Sequence, residues 1–378
     1  MRCHARPRDA VARTTVLFLL ATATGYSAAP LAAQEPPPSI APPVGAYLDS
    51  ALSIMERNVL GGDTVDWRAF RDSLYGWAAG AEEPADLYAA IRRALRALNP
   101  HSFLQLSAVQ SSRESERRPQ PAANASRSPG ERPVHSPFSG RQSPEGALDA
   151  YAGHRIGRIA IPAFGAGHLT AFADSIETHM RSMEAQGACG WIVDLRGNGG
   201  GNMWPMLAGI GPLLGGEVIG HFQGRNGDIT GTWFYRDGVT GIEGPDGEVM
   251  EVARVGGPVY RIEDVPPVAV LFDGGTGSSG EAVAIAFIGR PNTRSFGVPS
   301  YGFTTSNDGF RLPDSANMVL TVGVDADRNR VAYPTALVPD EVVAIAPDGV
   351  IPRTPPAEDP QLAAAHAWLA RQPECRDG

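Results

Sequence analysis

The chain has 378 residues, of which 43% are hydrophobic and 19% charged, with a formal net charge of −9. That length and apolar content allow a sizeable core, in two domains or in one large domain with appendages. The acidic balance excludes nucleic acid as the main partner, since a phosphate backbone has to be met by a basic face. All 32 basic residues are Arg; the sequence has no Lys.

In chain order, residues 1–33 read as a secretory signal peptide. Arg2, Arg6, Arg8 and Arg13 form a basic start, Val16 to Ala21 an apolar stretch, and Ala28 to Ala33 small residues for cleavage near Ala33. This apolar stretch is broken by Thr22, Thr24, Gly25 and Pro30, too early for a spanning helix. No later segment is long enough to span a bilayer, so the mature chain is expected to be periplasmic or secreted. Residues 34–44 form a Pro-rich linker. From Tyr47 the pattern turns helical, with Leu48, Leu52, Met55 and Val59 on one face. Further helices fit Trp67 to Ala79 and Ala85 to Leu98, giving a small helical domain over 45–106. Residues 107–147 are dominated by Ser, Arg, Pro, Gln and Ala and read as a disordered, low-complexity linker. From 148 to 378, strand runs at Ile156 to Pro162, Gly190 to Leu195 and Val268 to Phe272 alternate with helical stretches, which indicates an α/β core. Cys189 and Cys375 remain after the leader; they could pair in an exported protein, but two residues do not establish it.

Three segments carry chemistry. Asp194-Leu195-Arg196-Gly197-Asn198-Gly199-Gly200-Gly201 closes one strand. Thr276-Gly277-Ser278-Ser279-Gly280-Glu281 follows another and opens an Ala-rich helix, so Ser278 sits where a strand turns into a helix. Such a turn exposes a hydroxyl and aims backbone N–H groups at what it attacks. Leu98-Asn99-Pro100-His101-Ser102-Phe103 ends the helical region and offers a His as base. Taken singly, each segment also reads as a capped loop, an anion turn or a surface His. There is no His-x-x-x-His and no paired-Cys motif to suggest a metal, and no cofactor is called for.

Together, in this order, the three segments resemble the C-terminal processing (tail-specific) serine protease family over about residues 45–106 and 150–350. Phe296 to Gly302 and Val338-Pro339-Asp340 extend the resemblance. The familiar members use a Ser–Lys dyad, with Lys after the Gly that matches Gly302. Here that position is Phe303, and a chain without Lys cannot build the dyad. The chain looks instead like the tricorn and nisin-resistance-protease branch, whose His comes from the N-terminal helical region, and it lacks the PDZ module of many members. The resemblance implies a crotonase/ClpP-like α/β core with a small N-terminal helical domain. It also implies an exported serine endopeptidase acting on peptides or unfolded protein C-termini. Ser278 would be the nucleophile and His101 the base, with Gly201 (or, less favoured, Gly200) and Ser279 as backbone oxyanion donors. Glu281 would orient His101 or order the turn, with Asp340 and Asp308 as weaker candidates for the third member and His168 as a reserve base. The alternative is a non-catalytic carrier of peptides or hydrophobic ligands on the same fold, as retinoid-binding relatives of this family are. An acyl-CoA enzyme of the crotonase type is disfavoured by the Thr-x-Ser-x-x-Glu element.

Overall fold

A computed structural model describes residues 42–117, 136–262, 264–345 and 358–376. The expected leader, most of the Pro-rich linker and the centre of the polar stretch lie outside the described residues. In chain order the elements begin with α1 (Pro42–Asn58), α2 (Trp67–Trp77), α3 (Tyr88–Leu98), β1 (Phe103–Gln105) and α4 (Ala108–Arg117). Next come β2 (Glu145–Tyr151), β3 (His154–Ala160), α5 (Leu169–Glu184), β4 (Gly190–Asp194) and α6 (Met203–Ile210). They continue with β5 (Val218–Gly224), β6 (Ile229–Arg236), β7 (Val239–Glu243), β8 (Val249–Arg254), β9 (Val268–Phe272) and α7 (Ser279–Ile285). The chain closes with β10 (Thr293–Gly297), β11 (Thr305–Arg311), β12 (Asn317–Ala326), β13 (Glu341–Val342), α8 (Pro360–Leu369) and α9 (Pro373–Arg376).

Five-residue apolar runs build the central sheet. β4 and β9 are buried at every position, as a parallel strand covered on both faces requires. The order is β13-β10-β9-β4-β3-β2, parallel except for the antiparallel edge strand β2. Alternation divides the side chains. Val193 and Val270 pack with Ile176, Met180 and Met206 of α5 and α6, whereas Ile192, Ala269 and Leu271 pack with Ala365 and Leu369 of α8. The consequence for function is that β4 and β9 are neighbours in register, with Asp194 opposite Leu271. Their C-terminal ends therefore deliver the Gly-rich loop and the Ser278 turn side by side, where ligands collect in open α/β sheets.

The second sheet is antiparallel, β1-β12-β5-β6-β7-β8, with β11 also on β12. It completes the helical region: Leu48, Leu52 and Met55 of α1 and Ile91 and Leu95 of α3 share one core with Leu312, Met318 and Leu320. Helices 45–106 thus do not close a core of their own. β1 pairs antiparallel with β12, Phe103 opposite Val319, and Thr321 N–H donates to Ser102 Oγ at 2.9 Å.

The segment expected to be a linker enters the fold at both ends. Its start forms α4, tied to α3 by the Arg92–Glu114 pair. Its end buries Ser136 and Phe138 and leads into β2. No helix among the described residues is long and apolar enough to cross a membrane.

Cys189, just before β4, is disulfide-bonded to Cys375 on α9, at a sequence separation of 186 residues. In the chain-entropy picture, closing a loop of this length stabilises by about 5 kcal/mol at most. Cys375→Ser is therefore expected to lower Tm by several degrees in calorimetry, and dithiothreitol should reproduce the shift in the wild type. An unchanged Tm in both would show that the bond adds nothing to stability.

Candidate active site

The loop after β4 is built from the inside. Asp194 is fully buried and accepts Arg196 Nε at 2.8 Å and a second guanidinium N–H at 2.9 Å. Arg141 reaches the same carboxylate at 3.1 Å. Burial alone would raise this carboxyl, but the Arg196 charge and hydrogen bonds, with Arg141, bring it down to about 2. Asp194 therefore stays ionised and fixes the start of the loop. Asn198 then spans it: Nδ2 donates to Ile161 O at 3.0 Å, Oδ1 accepts Gly200 N–H at 3.0 Å, and its carbonyl accepts Gly277 N–H at 2.9 Å. The Gly-rich loop and the Ser278 turn are in this way one hydrogen-bonded unit. Gly200 has φ +109°, and a Cβ there would lie 2.8 Å from Ser278 Cβ, so only glycine lets the two loops approach.

The far end of the polar stretch props this unit from behind. Ser136 Oγ donates to Asp273 Oδ2 at 2.5 Å, and Gly197 N–H donates to Asp273 Oδ1 at 2.9 Å. The Phe138 ring lies 3.7 Å under the Arg196 guanidinium. These supports carry no sequence signal, because they sit in a Ser/Pro/Arg-rich background.

Ser278 has φ 52° and ψ −121°, a conformation costing about 1–3 kcal/mol in a non-glycine residue. Glu281 holds it there. Its buried carboxylate accepts Ser278 N–H at 2.8 Å, Gly302 N–H at 2.7 Å, Phe303 N–H at 2.8 Å and the Ser300 hydroxyl. Burial pushes the Glu281 carboxyl above its ordinary value, against the pull of those donors.

His101 arrives from the other side. It follows α3 and precedes β1, and the β1–β12 pairing sets its place. Its Nε2 lies 3.0 Å from Ser278 Oγ and its Nδ1 2.7 Å from Thr305 Oγ1. With the Nδ1 proton donated to Thr305, Nε2 is left to accept the serine hydroxyl. The ring is 9% exposed and stacks on Phe303 at 4.4 Å with a 17° interplanar angle. Burial pushes its pKa down to about 4, so the imidazole is neutral at pH 7.

Gly201 N–H and Ser279 N–H are left without an acceptor among the described residues, whereas Gly200 N–H is taken by Asn198. Ser279 Oγ donates to Gly201 O at 2.7 Å, holding the two donors together. Ser278, Ser279, Gly201 and His101 open on one cavity of about 470 Å³. Such a site can move a proton from Ser278 to His101 and receive an oxyanion on two N–H groups.

The other sequence candidates lie elsewhere. Glu281 sits under the turn and does not reach His101. Asp340 accepts Ser295 N–H and Oγ at 2.8 Å, away from the imidazole. Asp308 is exposed on β11, and His168 is exposed ahead of α5. Thr305, which faces His101, lies in the Tyr301 to Asn307 stretch, which also looks like a continuation of the branch that the sequence resembles, but nothing in the sequence gives it a role; a threonine in a polar strand gives no sign of its partner.

Comparison with known proteins bears on the family and the fold. The family model described as Peptidase family S41 matches residues 155–343, half of the chain, and the chain belongs to that family. It is 31% identical over 182 residues to the nisin-resistance protein of Lactococcus lactis subsp. lactis, covering 46% of this chain and 52% of that protein. It is 27% identical over 209 residues to a carboxyl-terminal-processing protease of Picosynechococcus sp., covering 55% of this chain and 42% of that one. The chain thus spans about half the length of these curated relatives. Among solved structures, a lipoprotein from Streptococcus agalactiae superposes with TM-score 0.61 at 20% identity, covering 90% of this chain and 99% of that one. The photosystem II D1 C-terminal processing protease superposes with TM-score 0.54 at 15% identity, covering 88% and 99%. At these identities the likeness is one of fold: a mixed α/β architecture with an N-terminal helical region.

Glu281→Ala would leave three backbone N–H groups and a buried hydroxyl without their acceptor. Each unmet donor costs about 1–3 kcal/mol, so denaturant unfolding should show a loss of at least about 3 kcal/mol. A loss below about 1 kcal/mol would mean that water replaces the carboxylate.

Proposed function

We propose that this chain is a serine-type endopeptidase, exported from the cell, that cleaves peptides or unfolded proteins near their C-termini. One observation carries the reading: His101 Nε2 stands 3.0 Å from Ser278 Oγ, beside two unclaimed N–H donors. Ser278 Oγ attacks the scissile carbonyl carbon while Nε2 of neutral His101 takes its proton. The oxyanion is received by Gly201 and Ser279 N–H. The imidazolium then gives its proton to the leaving amine, and water, activated by the same ring, releases the acyl group. Thr305 holds the Nδ1 proton and fixes the tautomer; Glu281 shapes the turn.

The names of the relatives support a peptide substrate: one is a carboxyl-terminal-processing protease, the other a nisin-resistance protein. Export is supported by the basic and apolar N-terminal sequence and by the Cys189–Cys375 bond, which suits an oxidising compartment.

Ser278→Ala and His101→Ala should each lower kcat/KM on an unstructured peptide by about 10³-fold or more with circular dichroism unchanged. Near-normal turnover by His101→Ala would remove the base assignment. Binding of an apolar ligand without turnover of any peptide would favour a carrier.

The base works only when unprotonated, and burial lowers its pKa to about 4. As pH falls, kcat/KM should therefore stay level through 6.5, the ordinary histidine value, and drop only on approach to about 4. An acid limb centred between 6 and 7 would show that the free site is wetter than its burial implies.

A further inference from the structure

The cavity beneath Ser278 contains one charged side chain that the reaction above does not use. Asp325, near the end of β12, is 3% exposed, and its Oδ1 has no hydrogen-bond partner. Its backbone is satisfied: its N–H donates to Thr304 O at 3.0 Å, and its carbonyl accepts Tyr333 N–H at 2.9 Å. What is unmet is Oδ1 of the carboxyl. β12 pairs here with β5, Asp325 opposite Phe222, and Asp325 lines the cavity together with the apolar Met203, Trp204 and Phe222 and the polar Asn202, Ser306 and Asn307.

Leaving a buried acid unpaired is costly, and nothing in its surroundings offsets it. No Arg lines the cavity among the described residues. The other charge felt by Asp325 is the Glu281 carboxylate, which together with burial pushes the Asp325 carboxyl well above its ordinary value. Two neighbouring acids with no cation between them make a place where an entering cation would relieve their mutual repulsion. A cleft that offers apolar side chains beside a buried acid suits a side chain with a long aliphatic stem and a cationic head. Ser278, Ser279 and Gly201 line the same cavity, and the scissile carbonyl would sit against them. The residue contributing that carbonyl is thus placed to send its side chain into the cavity, toward Asp325.

We propose that Asp325 is a specificity-determining residue, and that it selects substrates with Arg or Lys immediately before the scissile bond. The cation displaces the proton of the Asp325 carboxyl to solvent and forms a desolvated ion pair with it. This rests on the peptidase reading above, so its test has an arm that needs no turnover.

In the first arm, peptides differing only in the residue before the bond are compared. The wild type should favour Arg and Lys over Leu by ~100-fold in kcat/KM, and Asp325→Asn should collapse that ratio toward unity, the loss expected when a buried charge pair is broken. In the second arm, binding of p-aminobenzamidine, an aromatic cation whose fluorescence rises on desolvation, is measured with both proteins. The wild type should bind it, and Asp325→Asn should bind ~100-fold more weakly. Asp325→Leu serves as a second variant should the amide perturb the strand, with folding checked by circular dichroism. Equal turnover of the Arg and Leu peptides, or the same p-aminobenzamidine affinity in wild type and variant, overturns the proposal. Failure of a fluorophosphonate to label Ser278, while p-aminobenzamidine binding still depends on Asp325, would instead overturn the peptidase reading and leave the cation pocket standing.

Discussion

The pairing of β1 with β12 is the constraint on which the site depends. Ser278 belongs to the parallel sheet, at the end of β9, whereas His101 belongs to the end of a helix more than 170 residues earlier, the pair being separated by 177 positions. Three residues of strand, Phe103–Gln105, join the helical region to the antiparallel sheet. Ser102 strengthens the join through Thr321, which in turn donates to Asn307 Oδ1 at 2.8 Å. The helices contribute the apolar mass that makes this docking rigid, since their core is shared with Met318 and Leu320 of β12. A base delivered by a separate mobile domain would lose the sub-ångström positioning that proton transfer demands; a core common to helices and sheet avoids that.

Much of this was legible in the sequence. The apolar runs of β4 and β9 and the Gly and Ser turns that follow them announce two strand ends, because buried parallel strands leave little choice of residue. The spacing from Ser278 to Glu281 singles out one serine of a pair through the resemblance, whose motif sets the attacking serine three residues before a Glu. What that carboxylate would do was left open between orienting His101 and ordering the turn. Its hydrogen bonds to the N–H groups of Ser278, Gly302 and Phe303 are those of a turn brace.

Other parts were not legible, for identifiable physical reasons. Ser136 and Phe138 look like more of a low-complexity stretch, yet they brace Asp273 and Arg196. Two side chains in a polar run produce no periodicity. β7 and β8 are short, and β8 is largely exposed, so no clear alternation marks them, and their place in the sheet is set by pairing, β7 with β6 and β8 with β7. The boundary drawn at residue 106 fails as a limit of packing, because a shared core is a property of contacts between distant segments, and helix periodicity reports only that a face is apolar. The Cys189–Cys375 bond is of the same kind: only the fold brings the two residues to a Cα separation of 4.9 Å.

Phe303 ties the missing lysine to the character of the base. Its backbone N–H is fixed by Glu281, in the same bracket that holds Ser278, and its ring lies flat against the imidazole. It stands at the sequence position where the resemblance expects a lysine, and it strips water from His101, the base of the proposed mechanism. The desolvation lowers the proton affinity of His101. Thr305 does not restore it, because a hydroxyl accepts the Nδ1 proton without bringing a negative charge. A base so weakened is poorer at removing the serine proton, and the proposed mechanism must recover that elsewhere. Two features of the turn work in that direction. The φ of +52° at Ser278 is already enforced in the resting site. The N–H groups of Gly201 and Ser279 are bound together by the Ser279 hydroxyl before any substrate arrives. Preorganised donors of this sort are each worth on the order of 10²–10³ in rate, comparable to what a single well-matched general base supplies. The weight of the proposed chemistry thus moves from the base to the turn, and Glu281, which shapes that turn without touching the reacting atoms, becomes as consequential as the histidine.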